Sequence, residues 1–138
     1  MGEVTNVHIT HLCNQSIYEA ADNQIPPNPM EIGVSDCTAE LAIPAYELLR
    51  YVVDKPIYRL MACLCTLKNH VLDDYSFITL EMETGAFATI CTSKVALLHD
   101  HQLTLQIDGS LGSLFWSSDK SSVTEVICFY IDSKALPD

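Results

Sequence analysis

Residues 35–65 read "SDCTAELAIPAYELLRYVVDKPIYRLMACLC", and the spacing of their apolar residues changes partway along. Leu41, Ala45, Leu48, Leu49 and Val52 are spaced i, i+4, i+7, i+8 and i+11, which is one stripe of an α-helix. Lys55-Pro56 ends the stripe, because proline disfavours helical angles in the residue before it. From Ile57 the chain reads as a long apolar strand. Pro44 lies between a capping-type start, Ser35 and Asp36, and the amphipathic end of the helix. In a first turn its missing N–H costs nothing. Farther in it costs roughly 3 kcal/mol. The sequence therefore predicts either a regular helix that starts late, at Pro44, or a kink there.

Upstream, Val4, Val7, Ile9 and Leu12 mark a first strand over residues 3–12. Residues 13–34 hold three of the six prolines and read as a long loop, a length expected where a loop covers a site or a partner surface. Downstream, residues 75–83 and 86–97 form a hairpin about Gly85. Residues 102–108 and 113–118 form another about Gly109 and Gly112, and residues 123–131 close the series. Strand, loop, helix and a run of hairpin-linked strands predict an α+β fold. The expected form is a predominantly antiparallel open sheet of about six strands with one main helix packed on one face.

With 138 residues, 49% hydrophobic and 18% charged, the chain is expected to be one globular domain over 1–138. Its net charge of −11, without a Lys/Arg cluster, predicts no nucleic-acid partner and no anionic membrane surface. No apolar run reaches the ~18 residues of a membrane helix, and the N-terminus lacks a secretory pattern, so a cytoplasmic location is expected. Cysteines at 13, 37, 63, 65, 91 and 128 form no C-x-x-C pair. Cys63 and Cys65 share a strand face, and all six are expected to be free, mostly buried thiols.

Several groups could carry chemistry. His99-Asp100-His101 is reactive in type, but it falls between strands and reads better as a solvated loop than as a metal site. His8 and His11, three apart on a strand, face opposite sides and make no metal pair. No metal site is expected. Lys94, at a strand end, could meet a carboxylate or hydroxyl in a cleft, although such lysines are more often solvated. Asp73-Asp74 reads as a charge pair protecting a sheet edge. The glycines, at 2, 33, 85, 109 and 112, form neither G-x-G-x-x-G nor a Walker sequence, and G-x-S-x-G is absent too.

Taken together, residues 2–10 (GEVTNVHIT), 39–57 (AELAIPAYELLRYVVDKPI), 72–90 (LDDYSFITLEMETGAFATI) and 101–116 (HQLTLQIDGSLGSLFW) resemble, in order and spacing, one known domain. It is the C-terminal domain of the glucose–fructose oxidoreductase / inositol dehydrogenase (Gfo/Idh/MocA) family. The resemblance implies an α+β domain that supplies a substrate surface and a dimer interface beside a Rossmann domain that binds NAD or NADP. It also implies an Asp that orients substrate and, four residues on, a His that assists proton transfer, often after paired glycines.

Here Glu40 stands at the Asp position and Pro44 at the His position, with Ser35 and Asp36 near the glycine positions and a lone Gly33. Proline has no proton to transfer. The family's Glu-Lys-Pro lysine belongs to the Rossmann domain, which is expected to be absent from 1–138. The DKPI at 54–57 follows the helix and carries no catalytic weight. The expectation is a substrate-binding and dimerisation domain, not catalytic by itself, with Glu40, Lys94 and His99 bordering the site. No cofactor is expected in this chain. A homodimer through the sheet is expected, with a Rossmann domain in cis or in trans as a further partner. The alternatives are a stand-alone assembly protein with a vestigial cleft and a fragment of an active sugar or polyol dehydrogenase.

Overall fold

The structure, a computed structural model, describes residues 2–15, 35–67, 70, 72–120 and 124–127. Most of the long loop expected over 13–34, with Gly33, lies outside the described residues, as does Cys128. The described strands are β1 (Val4–Leu12), β2 (Ile57–Cys65), β3 (Tyr75–Met82), β4 (Phe87–Ser93), β5 (Gln102–Gly109), β6 (Gly112–Ser117) and β7 (Thr124–Ile127). They form one sheet in the order β2-β3-β4-β1-β5-β6-β7. Every neighbouring pair is antiparallel except β1 and β4, which run parallel from Asn6 opposite Phe87 to Leu12 opposite Ser93. The sheet is thus mixed, and the α+β class stands.

One π-helical turn, Thr38–Ala42, leads into helix α1, Ile43–Val53. Pro44 falls in the first two positions of α1, so the regular helix starts late, as its proline requires. The turn before it is the part that departs from regular geometry. Ile43 donates its N–H to the Thr38 carbonyl, a five-residue step in place of the usual four. Proline in a continuous α-helix would push its ring against the carbonyl four residues back, here that of Glu40. A widened turn takes that carbonyl out of the way. The helix ends at Asp54, whose left-handed φ of 44° brings its N–H to the Arg50 carbonyl at 3.1 Å.

Alternation along the strands decides the core. Ser76, Leu80 and Met82 of β3, Ala88, Ile90 and Thr92 of β4, Val7 and Ile9 of β1, and Leu105 and Ile107 of β5 are buried. They meet Ala42, Ala45 and Leu49 of the helical segment. Leu41 packs instead with Cys13 and Cys37 in a small second cluster. Val52, on the expected stripe, is exposed.

The opposite sheet face carries Tyr75, Phe77, Phe87 and Phe115 beside Thr79, Thr89, Thr104 and Gln106, and the three Phe are exposed. Strand β2 departs from expectation more sharply. It is the sheet edge, the helix packs over β1 with its first turn over β4 and β3, and β2 is exposed on both faces from Tyr58 to Leu64. Cys63 is therefore exposed and Cys65 half-buried. Only Cys13 and Cys37 of the described free thiols are buried.

Candidate functional site

The parity that buries Ala88, Ile90 and Thr92 continues past the end of β4. Lys94 is next in that series, so it lands on the helix side of the sheet, beneath the start of the helical segment. Asp36 and Glu40, four residues apart, lie on one side of that start and point the same way. Lys94 Nζ meets Asp36 Oδ2 at 2.7 Å and Glu40 Oε2 at 2.8 Å. The lysine is only 1% exposed, against 24% for Asp36 and 51% for Glu40. Burial alone pulls its ammonium toward the neutral form. Hydrogen bonds to both carboxylates, and their charges, outweigh this and hold it above the usual lysine value. Lys94 is not the solvated lysine common at strand ends. Its charge is directed inward and holds Glu40 in place, leaving the carboxylate half in solvent.

A buried polar row continues beneath. Ser76 and Thr92 share a hydrogen bond of 2.7 Å, and Thr92 meets Cys37 Sγ at 3.4 Å. Burial pushes the Cys37 thiol up to about 11, with Asp73 adding to the rise while Thr92 and Lys94 oppose it. It is a protonated, inert sulfur.

Asp73 and Asp74 correct the edge-pair reading, since both are buried. Asp73 Oδ2 accepts from the Thr38 backbone N–H at 3.0 Å and the Thr38 hydroxyl at 2.8 Å. The helical start is thus capped from another element, while Asp36, one of the two expected local caps, is taken by Lys94. Asp73 Oδ1 is buried with no hydrogen-bond donor among the described residues. Asp74 accepts from the Leu67 N–H at 2.7 Å and pairs with His70 Nδ1 at 2.5 Å. Its carbonyl accepts from the Lys94 N–H, which ties this pair to the same corner. Neither the Asp73 cap nor the His70–Asp74 pair was read from the sequence. Adjacent aspartates give no local pattern that says which way each one turns.

His99 does not join them. Its backbone N–H closes a turn on the Ala96 carbonyl at 3.0 Å, and its ring makes no hydrogen bond or ion pair among the described residues. His8 bonds to Asn6 and Thr89 on the open face, whereas His11 bonds to the Leu41 carbonyl on the helix side. No three His, Cys, Asp or Glu residues converge on a metal position among the described residues, and no helix there is long and apolar enough to cross a membrane. A cleft of about 550 Å³ opens at the far end of the sheet between Gly2, Val4, Val53, Lys55 and Met82, and none of the expected site residues lines it.

Chemically, the corner offers a fixed, half-exposed carboxylate at Glu40 and no side-chain proton donor at Pro44. It can orient a hydroxyl-bearing ligand. Proton transfer at position 44 is closed to it.

The sequence model of the GFO/IDH/MocA C-terminal domain matches residues 1–115. No curated protein matches the chain. Among solved structures, an inositol dehydrogenase homolog complexed with NAD+ from Azotobacter vinelandii shares 22% identity over 86% of this chain and 32% of its own, with a TM-score of 0.73. Levoglucosan dehydrogenase in complex with NADH shares 19% over 86% of this chain and 33% of its own, at 0.71. An oxidoreductase from Sinorhizobium meliloti shares 20% over 86% and 30%, at 0.68. The chain spans about a third of the length of these structures, and their likeness is one of fold.

Proposed function

The chain belongs to the GFO/IDH/MocA family through its C-terminal domain, and from that premise we propose that it is the substrate-binding and dimerisation part of an NAD(P)-dependent oxidoreductase, not catalytic by itself. The observation that carries the reading is the Lys94–Asp36–Glu40 arrangement. It keeps a carboxylate at the family's Asp position, half in solvent and fixed from below, while Pro44 removes the proton-transfer group four residues on. A fixed carboxylate binds and orients a hydroxyl. Related structures are named for inositol and levoglucosan, so a sugar or cyclic polyol is the proposed ligand class.

The chain's own residues do not fit a dinucleotide. A pyrophosphate favours a glycine-rich turn at a helix N-terminus. Here the helical start presents Asp36 and Glu40 and has its Thr38 N–H occupied by Asp73. Nicotinamide chemistry, in this reading, comes from a Rossmann domain in cis or in trans.

Dimerisation rests on the open sheet face. Phe77 is 56% exposed, Phe87 45% and Phe115 40%, across three strands of one face. Phe77 and Phe87 stand on neighbouring strands, whereas Phe115 lies beyond His8 of β1 and Gln106 of β5, and aromatic rings exposed in this way favour a partner surface. A symmetric homodimer through this face would bury on the order of 1,600 Å² or more in total. The same patch also favours a second reading, a stand-alone assembly protein whose cleft has lost its role.

Titration of the labelled chain with myo-inositol and with levoglucosan, followed by NMR, separates the two. The substrate-domain reading expects saturable shifts at Glu40 and its neighbours with at least one of them, abolished in Glu40→Gln. Shifts that are absent, or that persist in the variant, overturn it in favour of assembly.

A further inference from the structure

The exposed edge strand β2 places three sulfur side chains in a row. Met61, Cys63 and Cys65 lie opposite Thr79, Phe77 and Tyr75 and share the open face by alternation. Met61 is 71% exposed, and Cys63 is exposed beside a half-buried Cys65. The two thiols are in contact, Sγ to Sγ at 3.8 Å. Neither is in a disulfide. Among the described residues no other strand pairs with the outer edge of β2, so the sulfurs can be reached from that side.

Metal–thiolate bonds of about 2.3 Å span roughly 3.8 Å between sulfurs at a tetrahedral angle, roughly 4.0 Å at a trigonal one and roughly 4.6 Å when collinear. The observed 3.8 Å lies within about 0.2 Å of the trigonal spacing, so small rotations of the two side chains bring both sulfurs onto one ion. What the site lacks decides which ion. No third His, Cys, Asp or Glu converges there among the described residues. A four-coordinate Zn²⁺ or an oxygen-seeking Mg²⁺ or Ca²⁺ has too few donors. A thiophilic monovalent cation needs only two thiolates, and a thioether is a donor it accepts.

We propose that Cys63 and Cys65, with Met61 as a third donor, form a binding site for a soft monovalent cation of the Cu(I) type. Two thiols and one cation give a dithiolate complex and release two protons to solvent, with no change of oxidation state. The neighbouring Cys63 thiol, through its hydrogen bond and charge, raises Cys65 above the ordinary cysteine value. The Cys65 thiol thus keeps its proton at neutral pH until a bound cation displaces it.

Anaerobic titration of the reduced 138-residue protein with Cu(I) against a chromophoric chelator tests the site. One tightly held equivalent per chain is expected, with a thiolate-to-copper charge-transfer band. Cys63→Ser and Cys65→Ser should each weaken binding at least a hundredfold and Met61→Leu about tenfold, while Cys91→Ser leaves it unchanged. Each variant sits on the open face, and circular dichroism checks that it folds. Failure of the wild type to compete with the chelator overturns the proposal, as does an equivalent retained in the Cys63→Ser/Cys65→Ser double variant. Zn(II) held as tightly as Cu(I) would overturn the assignment to a soft monovalent ion.

Discussion

Removing both carboxylates from Lys94 should cost more than the sum of removing each. Asp36→Ala leaves the ammonium paired with Glu40 and removes the less exposed of its two partners. A hydrogen bond to a charged group contributes about 1.5–3 kcal/mol, so a loss of about 2 kcal/mol is expected. Glu40 is 51% exposed, and solvent discounts its ion pair to about 1 kcal/mol. In the double variant a lysine only 1% exposed keeps no paired carboxylate among the described residues. Leaving a buried charge uncompensated costs roughly 3–5 kcal/mol. The double variant should therefore fall near the upper end of that range, about 1–2 kcal/mol beyond the sum of the singles.

Urea unfolding followed through Trp116, the single tryptophan, reads this directly. With a slope of about 2 kcal/mol/M, the double variant should move the midpoint by about 2 M. The pH dependence has a fixed sign. Because the folded value is raised, this stabilisation is fully present below the unfolded lysine value of 10.5 and is lost as pH rises through the higher folded one. Costs that add to within about 0.5 kcal/mol, or a double variant losing under 2 kcal/mol, would refute the view that Lys94 is held by charge.

Other outcomes follow from the same geometry. Cys37, raised from 9.0 to about 11, makes stability fall by roughly 2–3 kcal/mol between those two pH values; Cys37→Ala should flatten that part of the alkaline limb, checked by urea titrations across it. Asp73→Ala removes both bonds to Thr38 and should cost about 1–2 kcal/mol, with faster amide exchange at Thr38 as its local signature. The open-face dimer predicts sedimentation at twice 15.3 kDa and conversion to monomer by Phe77→Asp; a monomeric wild type at tens of micromolar contradicts it. Calorimetry should show no micromolar NAD(H) or NADP(H) binding by the chain alone, and such binding would contradict the carboxylate-lined helical start described above.

The faces of β3, β4 and β5 were legible because a two-residue period needs no knowledge of neighbours. Ser76, Leu80 and Met82 had to share a side whatever strand lay beside them. The halves of the site were legible in the same way: Lys94 continues the series of Ala88, Ile90 and Thr92, and Asp36 and Glu40 are one helical step apart. The meeting of Glu40 and Lys94 was expected alongside the family resemblance, not from periodicity. It depends on the parallel pairing of β4 with β1, which brings the end of β4 beneath the helical start, and no local pattern encodes that neighbour. Cys63 failed for the same reason. "IYRLMACLC" reads as a buried strand until its position at the sheet edge, beyond the reach of α1, is known.

Pro44 links these levels. Proline has no N–H for the Glu40 carbonyl, and its ring would crowd that carbonyl in a regular helix. The chain widens into the Thr38–Ala42 π-helical turn, with the Ile43 N–H reaching back five residues to Thr38. Glu40 sits in the middle of that turn, with its side chain on Lys94. The proline at position 44 and the placement of the Glu40 carboxylate thus meet in one deformed turn. A half-exposed acid fixed by a buried lysine is what the proposed orienting role uses, because a carboxylate holds a hydroxyl without a proton being moved.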